Sequence, residues 1–152
     1  MALLDGFGAD ARAFEGLSDT QNQAIADGLL LVAYADGPAT KAQSTTLAGL
    51  LASLPSFASR TALQREGYVR RAIGRLGQFE GPQSIGPYVE GIADALPSPI
   101  VRATLLVLGA ALGRNEGVPT VAQRHVLEVM AESLDVDDAA FSSAAERLAV
   151  GV

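Results

Sequence analysis

The sequence contains no cysteine among its 152 residues. This absence excludes a disulfide framework, a zinc site with thiolate ligands and a thiol nucleophile. It also fits a reducing compartment, so we expect a cytoplasmic protein. Because the chain is long enough to bury a core without cross-links, we interpret residues 1–152 as one domain.

Aromatic residues are scarce at 5%, whereas hydrophobic residues make up 49% of the chain. The core must therefore consist mainly of leucine, alanine, valine and isoleucine, a composition that favours helices over sheets. Since no segment alternates apolar and polar residues over a useful length, no strand is expected. The sequence predicts an all-α fold, a compact bundle of about seven to eight helices.

Long apolar runs are also missing. The two most apolar segments, 28–35 and 103–113, have eight and eleven residues, whereas a membrane-spanning helix needs about 20. No transmembrane segment is therefore expected. The first basic residue is Arg12, and Asp5 interrupts the opening apolar stretch, so we also expect a mature N-terminus without a signal peptide.

Positive charge is in the minority, and the formal net charge is -6. Such a balance disfavours nucleic acid as a partner. Histidine occurs once, as His125. It falls on the outer side of its predicted helix, with no second histidine to complete a site, so we expect no catalytic role for it.

Capping patterns locate the first two helices. Ser18 and Gln21 have the spacing of a capping box at the start of a helix over 18–35. Thr40 and Gln43 repeat that spacing ahead of a second helix, which Pro55 must end. A third helix is predicted over 60–76, with a buried stripe formed by Val69, Ala72, Ile73 and Leu76.

A linker separates these helices from the second half of the chain. Residues 77–87 contain five glycine or proline residues among eleven positions. A short helix is then predicted over 87–96, with Pro87 at its first position. Three more helices are predicted from start signals at Ser98, at Thr120, and at Asp137 or Asp138, ending near Leu112, Leu134 and Ala149.

The second half repeats the first at an offset of 80 residues. At that offset four residues of the turn and the following cap are identical, namely Gly37 and Gly117, Thr40 and Thr120, Ala42 and Ala122, and Gln43 and Gln123. Each copy has an apolar helix that ends at an acidic residue and a glycine. We predict a pseudo-twofold domain, with repeat one over about 18–76 and repeat two over about 98–149.

The doubled motif resembles that of the TerB-like family of tellurite-resistance and related stress proteins. The matching residues are 32–37, Val-Ala-Tyr-Ala-Asp-Gly, with Thr40 and Gln43, and more loosely 114–117, Arg-Asn-Glu-Gly, with Thr120 and Gln123. The resemblance spans about 24–54 and 102–147. It implies an all-helical, pseudo-twofold module that senses metal or binds partners, often alongside membrane-associated complexes, and it does not imply an enzyme.

The resemblance also identifies candidate metal ligands. In the family, the acidic residue of the turn and a glutamate at the next helix start are linked to divalent cations, which corresponds here to Asp36 and Glu116 as turn residues. Both family glutamates are replaced, by Gln43 and Gln123. Because an amide oxygen is a weaker ligand than a carboxylate for a hard cation, the site should be degraded and bind weakly at most. The alternative interpretation is that these turns have only a structural role, ending one helix and capping the next.

An arginine-rich helix is the second candidate site. Five of the eleven basic residues lie in 60–76, and a helical wheel places Arg60, Arg71 and Arg75 away from the predicted apolar stripe. These arginines could dock an acidic protein partner or a second copy of the chain. A merely solvated face is the simpler alternative.

The sequence thus favours a non-enzymatic, TerB-like stress-response or interaction module without a cofactor other than a weakly held divalent cation. Two alternatives stay open. One is an enzyme or small-ligand carrier with a pocket between the repeats, lined by apolar groups and the two turn carboxylates. The other is a structural subunit of a homo-oligomer, which would expose a large apolar patch.

Overall fold

The structure is a computed structural model that describes residues 17–35, 51, 57, 60–76, 85–113 and 121–147. Within these ranges all regular secondary structure is helical, which confirms the predicted all-α class. The helices are α1 (Asp19–Ala33), α2 (Ala62–Leu76), α3 (Ile85–Ala95), α4 (Pro99–Gly113), α5 (Val121–Ser133) and α6 (Asp138–Arg147). Of the helix predicted after Thr40, only Leu51 is described, and it is helical and buried. Both glycine turns lie outside the described residues.

Helix α1 is the centre of the described structure. It packs against α2, α3, α4 and α5, and every residue from Asn22 to Ala33 is buried. Ile25, Leu29, Val32 and Ala33, which recur at helical spacing along α1, form a buried stripe. The other faces of the helix are buried too, so that three polar residues, Asn22, Gln23 and Asp27, lie in the interior.

The start of α1 is a complete capping box, as its sequence predicts. The Ser18 hydroxyl oxygen accepts a hydrogen bond from the Gln21 backbone N–H at 3.2 Å. In return the Ser18 backbone N–H donates to Gln21 Oε1 at 2.9 Å. Two backbone donors that have no acceptor within the helix are thereby satisfied.

We expect Ser18→Ala to lower the free energy of unfolding by about 1 kcal/mol, because the alanine side chain cannot accept the Gln21 N–H. Urea denaturation followed by circular dichroism measures this change. Ser18→Asn is the matched control, since asparagine caps a helix as well as serine does. Equal stabilities of the alanine and asparagine variants would contradict the prediction.

The contact between α1 and α4 depends on two glycines. A Cβ atom added to Gly28 of α1 would lie 3.1 Å from Leu105 Cδ2 of α4. One added to Gly109 of α4 would lie 3.3 Å from Val32 Cγ2 of α1 and 3.5 Å from Leu127 Cδ2 of α5. Gly109 therefore permits a close approach of the two helices, and Gly28 does the same from the opposite helix.

The beginnings of α2 and α3 differ from their predicted positions. Helix α2 begins at Ala62, where Thr61 and Gln64 form a second capping box with N–H···O distances of 3.1 and 2.8 Å. Helix α3 begins at Ile85, so Pro87 occupies its third position instead of its first. A proline is tolerated there because the N–H groups of the first turn have no acceptor within the helix.

Arg102, near the start of α4, joins the ends of two other helices. Its guanidinium donates to the backbone oxygens of Ala93 and Leu96, at the end of α3. It also donates to the backbone oxygen of Leu134, at the end of α5, at 3.2 Å. One cation thus satisfies carbonyl groups at two helix C-termini, where a positive charge is favoured.

The connection from α5 to α6 is a left-handed helix end followed by a new cap. Asp135 has φ 55°, and the Val136 N–H donates to the Ala131 carbonyl at 2.9 Å, as in a Schellman motif. The Asp137 carboxylate then accepts the Ala140 N–H at 2.8 Å, which confirms the predicted start of the last helix. None of the described helices is long and apolar enough to cross a membrane.

Candidate functional site

A pocket of about 450 Å³ lies between α1, α2 and α3. Polar side chains on α1 and α2 line one side of it, and residues of α3 line the other. Its volume is within the range of small-molecule sites, about 300–1,000 Å³. The residues that determine its chemistry are Asp19, Gln23, Asp27, Arg71, Arg75 and Tyr88.

Gln23 and Asp27 form the buried polar part of the lining. They lie four residues apart on α1 and therefore share one face of the helix. Gln23 Nε2 donates to Asp27 Oδ1 at 2.9 Å and to the Tyr68 backbone oxygen at 3.0 Å. The amide thus joins α1 to the main chain of α2 while it holds the Asp27 carboxylate in place.

Arg71 and Arg75 lie opposite this pair, also four residues apart, on α2. Arg71 Nε donates to Gln23 Oε1 at 2.7 Å. Arg75 Nη1 forms a salt bridge with Asp27 Oδ2, in which the Asp27 side chain is 4% exposed and the Arg75 side chain 51% exposed. The carboxylate is therefore enclosed, whereas the guanidinium that neutralises it reaches solvent.

Tyr68 holds α2 in position beside this network. Its ring packs edge-on against Phe57 with a centroid distance of 5.2 Å, and the Arg71 guanidinium lies 5.0 Å from the ring centre. Its hydroxyl donates to Asp19 Oδ1 at the start of α1. Burial, followed by the hydrogen bond to Asp19, raises the pKa of Tyr68.

The buried groups of the pocket favour their neutral forms. Burial raises the pKa of Asp27, although the hydrogen bond from Gln23 and the charge of Arg75 act in the opposite direction. The pKa of Tyr88 is also raised, first by burial and then by the negative charge of Asp27. Tyr88 therefore stays protonated at neutral pH, and its hydroxyl keeps its proton as a hydrogen-bond donor.

The α3 side of the pocket is mainly apolar. It comprises Pro87, Gly91, Ile92 and Ala95 in addition to Tyr88. Concave sites of this kind, with an apolar wall and a few convergent polar groups, are typical of small-ligand binding.

Arg71 and Arg75 are exposed, as predicted, but their guanidinium groups also bond to Gln23 and Asp27 of α1. Both contact α1 because Gln23 and Asp27 are buried there and need polar partners. The face of α2 that packs inward carries Tyr68 and Ala72, whereas Ile73, predicted to be buried, is 41% exposed.

Arg60, the third arginine of the predicted docking face, precedes α2 and lies apart from the pocket. Its backbone oxygen accepts a hydrogen bond from Arg65 Nη1 at 2.6 Å. The same guanidinium nitrogen also donates to the Phe57 oxygen at 3.3 Å. Of the five arginines in this segment, Arg71 and Arg75 therefore bind α1, and Arg65 donates hydrogen bonds to the backbone ahead of α2.

The candidate metal ligands cannot be placed together in this structure. Asp36, Gln43 and Glu116 lie outside the described residues, while Gln123 is buried on α5. Among the residues that are described, no three histidine, cysteine or acidic side chains form a group able to hold a metal ion. His125 is exposed on α5, which agrees with its predicted position.

A second, smaller pocket of about 190 Å³ lies between α4, α5 and α6. Leu106, Leu127 and Phe141 give it an apolar lining, and Asp137 and Asp138 also contribute to it. The Asp137 carboxylate is already engaged as the cap of α6.

Sequence reasoning did not identify Gln23 and Asp27. The available signal was two polar residues four positions apart within an apolar helix, a pattern that indicates buried polar groups with partners on a neighbouring helix. The larger pocket also differs from the expected one. It lies between α3 and two helices of repeat one, α1 and α2, rather than between the two repeats.

Comparison with known proteins identifies no relative of the chain. No family model matches it, and neither a curated protein nor a solved structure shows significant similarity.

Proposed function

We propose that the chain is a non-enzymatic binding module that takes a small ligand in the pocket between α1, α2 and α3. The observation that carries this proposal is the meeting of Gln23 and Asp27 with Arg71 and Arg75 at a pocket of about 450 Å³. Buried polar groups cost stability unless they are paired, so a polar network of this kind indicates a requirement beyond packing.

A binding role fits the network better than a catalytic one. Both oxygens of Asp27 accept hydrogen bonds within the protein, from Gln23 and from Arg75. Asp19 accepts a hydrogen bond from the Tyr68 hydroxyl. A general base must reach the substrate, whereas the Asp27 side chain is only 4% exposed and its hydrogen bonds orient the side chains around the pocket.

The proposal is tested by protein-observed NMR with a chemically diverse fragment library. Bound fragments should shift the backbone amide signals of Gly91 and Ile92, which line the pocket. Gly91→Leu should weaken these fragments at least tenfold, because a Cβ at Gly91 enters open space and the longer side chain then occupies the pocket.

Gly74→Leu is the matched control for this experiment. A Cβ at Gly74 of α2 also meets no atom within 4 Å, but this residue does not line the pocket. Fragment affinities should therefore be unchanged. A library without any fragment that shifts the α3 amides would refute the proposed function, as would equal effects of the two leucine variants.

We also propose that the module is TerB-like, with a repeat offset of 80 residues. Helices α1 and α4 each have 15 residues, and their first residues, Asp19 and Pro99, are 80 positions apart. This agreement supports the register obtained from the turn motifs. On this proposal Asp36 and Glu116 are the remains of a divalent-cation site, and the protein acts in a cytoplasmic stress response.

A partner surface on α2 is the second candidate function. Leu63, Arg70 and Ile73 recur at helical spacing on the side of α2 away from α1, where Leu63 is 72% exposed. Exposed apolar residues beside charges are typical of protein contact sites. A protein partner or a second copy of the chain would dock on this face, and the Arg71 and Arg75 side would stay free for the ligand.

A further inference from the structure

We propose that the ligand of the pocket is a small organic monocarboxylate, bound through its carboxylate by Arg71 and Arg75 with its apolar part against α3. This inference rests on the proposed binding function and adds the chemical class of the ligand. The inference is based on solvent access, because the hydrogen-bond donors Arg71 and Arg75 are exposed, whereas the acceptors Gln23 and Asp27 are buried.

The two buried acceptor residues of the pocket, Gln23 and Asp27, are enclosed and already paired. Asp27 is buried, and its two carboxylate oxygens accept hydrogen bonds, one from Gln23 and one from Arg75. Gln23 is buried as well, and its Oε1 accepts from Arg71. A cationic ligand would have to displace these internal donors before it reached either oxygen, which would leave a buried charge with a poorer set of partners.

The donors, in contrast, reach the solvent. Arg71 and Arg75 are both exposed. The bond that each donates to α1 uses one nitrogen of a guanidinium that carries five N–H groups. The two residues are one helical turn apart, so their side chains lie side by side at the pocket. A planar carboxylate matches the paired N–H groups of a guanidinium.

The charge of the surroundings limits the ligand to a single negative charge. Asp19 and Asp27 also line the pocket, so a dianion such as phosphate would meet two carboxylates as well as two guanidinium groups. The α3 wall of Pro87, Ile92 and Ala95 offers an inorganic ion no apolar gain. An organic monoanion uses both sides of the pocket, because its apolar part is removed from water when it packs against the α3 wall.

The test is a charge series of equal chain length, namely hexanoate, hexylammonium and 1-hexanol, together with inorganic phosphate. Each probe is titrated into the full chain at pH 7 while the amide signals of Gly91 and Ile92 are followed by NMR. Hexanoate should shift these signals with an affinity at least tenfold higher than that of the other three probes.

A matched pair of arginine variants locates the carboxylate. Arg75→Lys should weaken hexanoate about tenfold, because lysine keeps the charge but lacks the planar pair of donors. Arg70→Lys is the control, since Arg70 is exposed, does not line the pocket and pairs with Glu66 on its own helix at 3.8 Å. Circular dichroism verifies that both variants are folded.

The outcomes distinguish the ligand class from the binding function itself. If hexylammonium, 1-hexanol or phosphate shifts the α3 amides more strongly than hexanoate, the pocket binds ligands but the monocarboxylate assignment is wrong. If hexanoate fails while a fragment of another class binds, the assignment is again wrong. If neither the series nor the fragment library shifts these amides, both proposals fail.

Discussion

Leu29→Ala is expected to lower the free energy of unfolding by about 3 kcal/mol, within the usual range of about 2–5 kcal/mol for a fully buried leucine. Leu29 is 0% exposed and lies in the middle of α1, which is surrounded by α2, α3, α4 and α5. The loss combines the transfer of the removed methyl groups with the cavity that remains, because four packed helices cannot easily close around it.

Leu63→Ala is the control for this substitution. The chemical change is the same, but Leu63 is 72% exposed on α2, so its loss should change stability by less than about 0.5 kcal/mol. Urea denaturation of both variants measures the difference. Similar destabilisation by the two substitutions would show that α1 is not the centre of the core.

Arg75→Ala is expected to have the second-largest effect, a loss of about 2 kcal/mol at pH 7, as for a hydrogen bond to a charged group. The substitution leaves the Asp27 carboxylate buried without its cationic partner. The cost should stay below the value of about 3–5 kcal/mol for a fully buried ion pair, because half of the Arg75 side chain is in solvent.

The pH dependence of this loss separates the ion pair from ordinary packing. Burial raises the pKa of Asp27 in the folded protein above the ordinary value of 3.8. The contribution of Asp27 to stability is therefore largest below about pH 3.8 and decreases as the pH rises through the folded-state pKa. Arg75→Ala raises that pKa further. The cost of the substitution should therefore be small at pH 4 and largest at neutral pH.

Denaturant unfolding between pH 4 and pH 8 measures this profile. Asp27→Asn removes the titrating group, so Arg75→Ala in that background should have a cost that does not change over the same range. A cost of Arg75→Ala that is independent of pH in the presence of Asp27 would contradict the ion-pair interpretation.

The sequence predicts helix starts well where one side chain caps its own helix. Ser18 and Asp137 act at the predicted positions because their hydrogen bonds span three residues or fewer. The predicted start of α3 is two residues late. Proline is preferred at the first helical position but is accepted at any position of the first turn, so Pro87 alone does not define the first residue. Thr61 and Gln64 show the same capping pattern as Ser18 and Gln21.

The inner face of α2 could not be predicted from that helix alone. Helical periodicity places apolar residues inward and arginines outward, which is correct on average. Here the partner helix α1 presents Gln23 and Asp27, and their need for donors determines which face of α2 packs inward. The pocket depends on this pairing and on α3, so it combines segments that are distant in sequence.

The burial of α1 also determines which parts of the domain are able to move. The amide hydrogens of residues 22–33 are enclosed by four other helices, and they should exchange with solvent only when the whole domain unfolds. Helix α3, in contrast, packs mainly on α1 and α5 and forms one wall of the pocket. We therefore expect any movement that accompanies ligand binding to involve α3 and the arginine side chains, while α1 stays fixed.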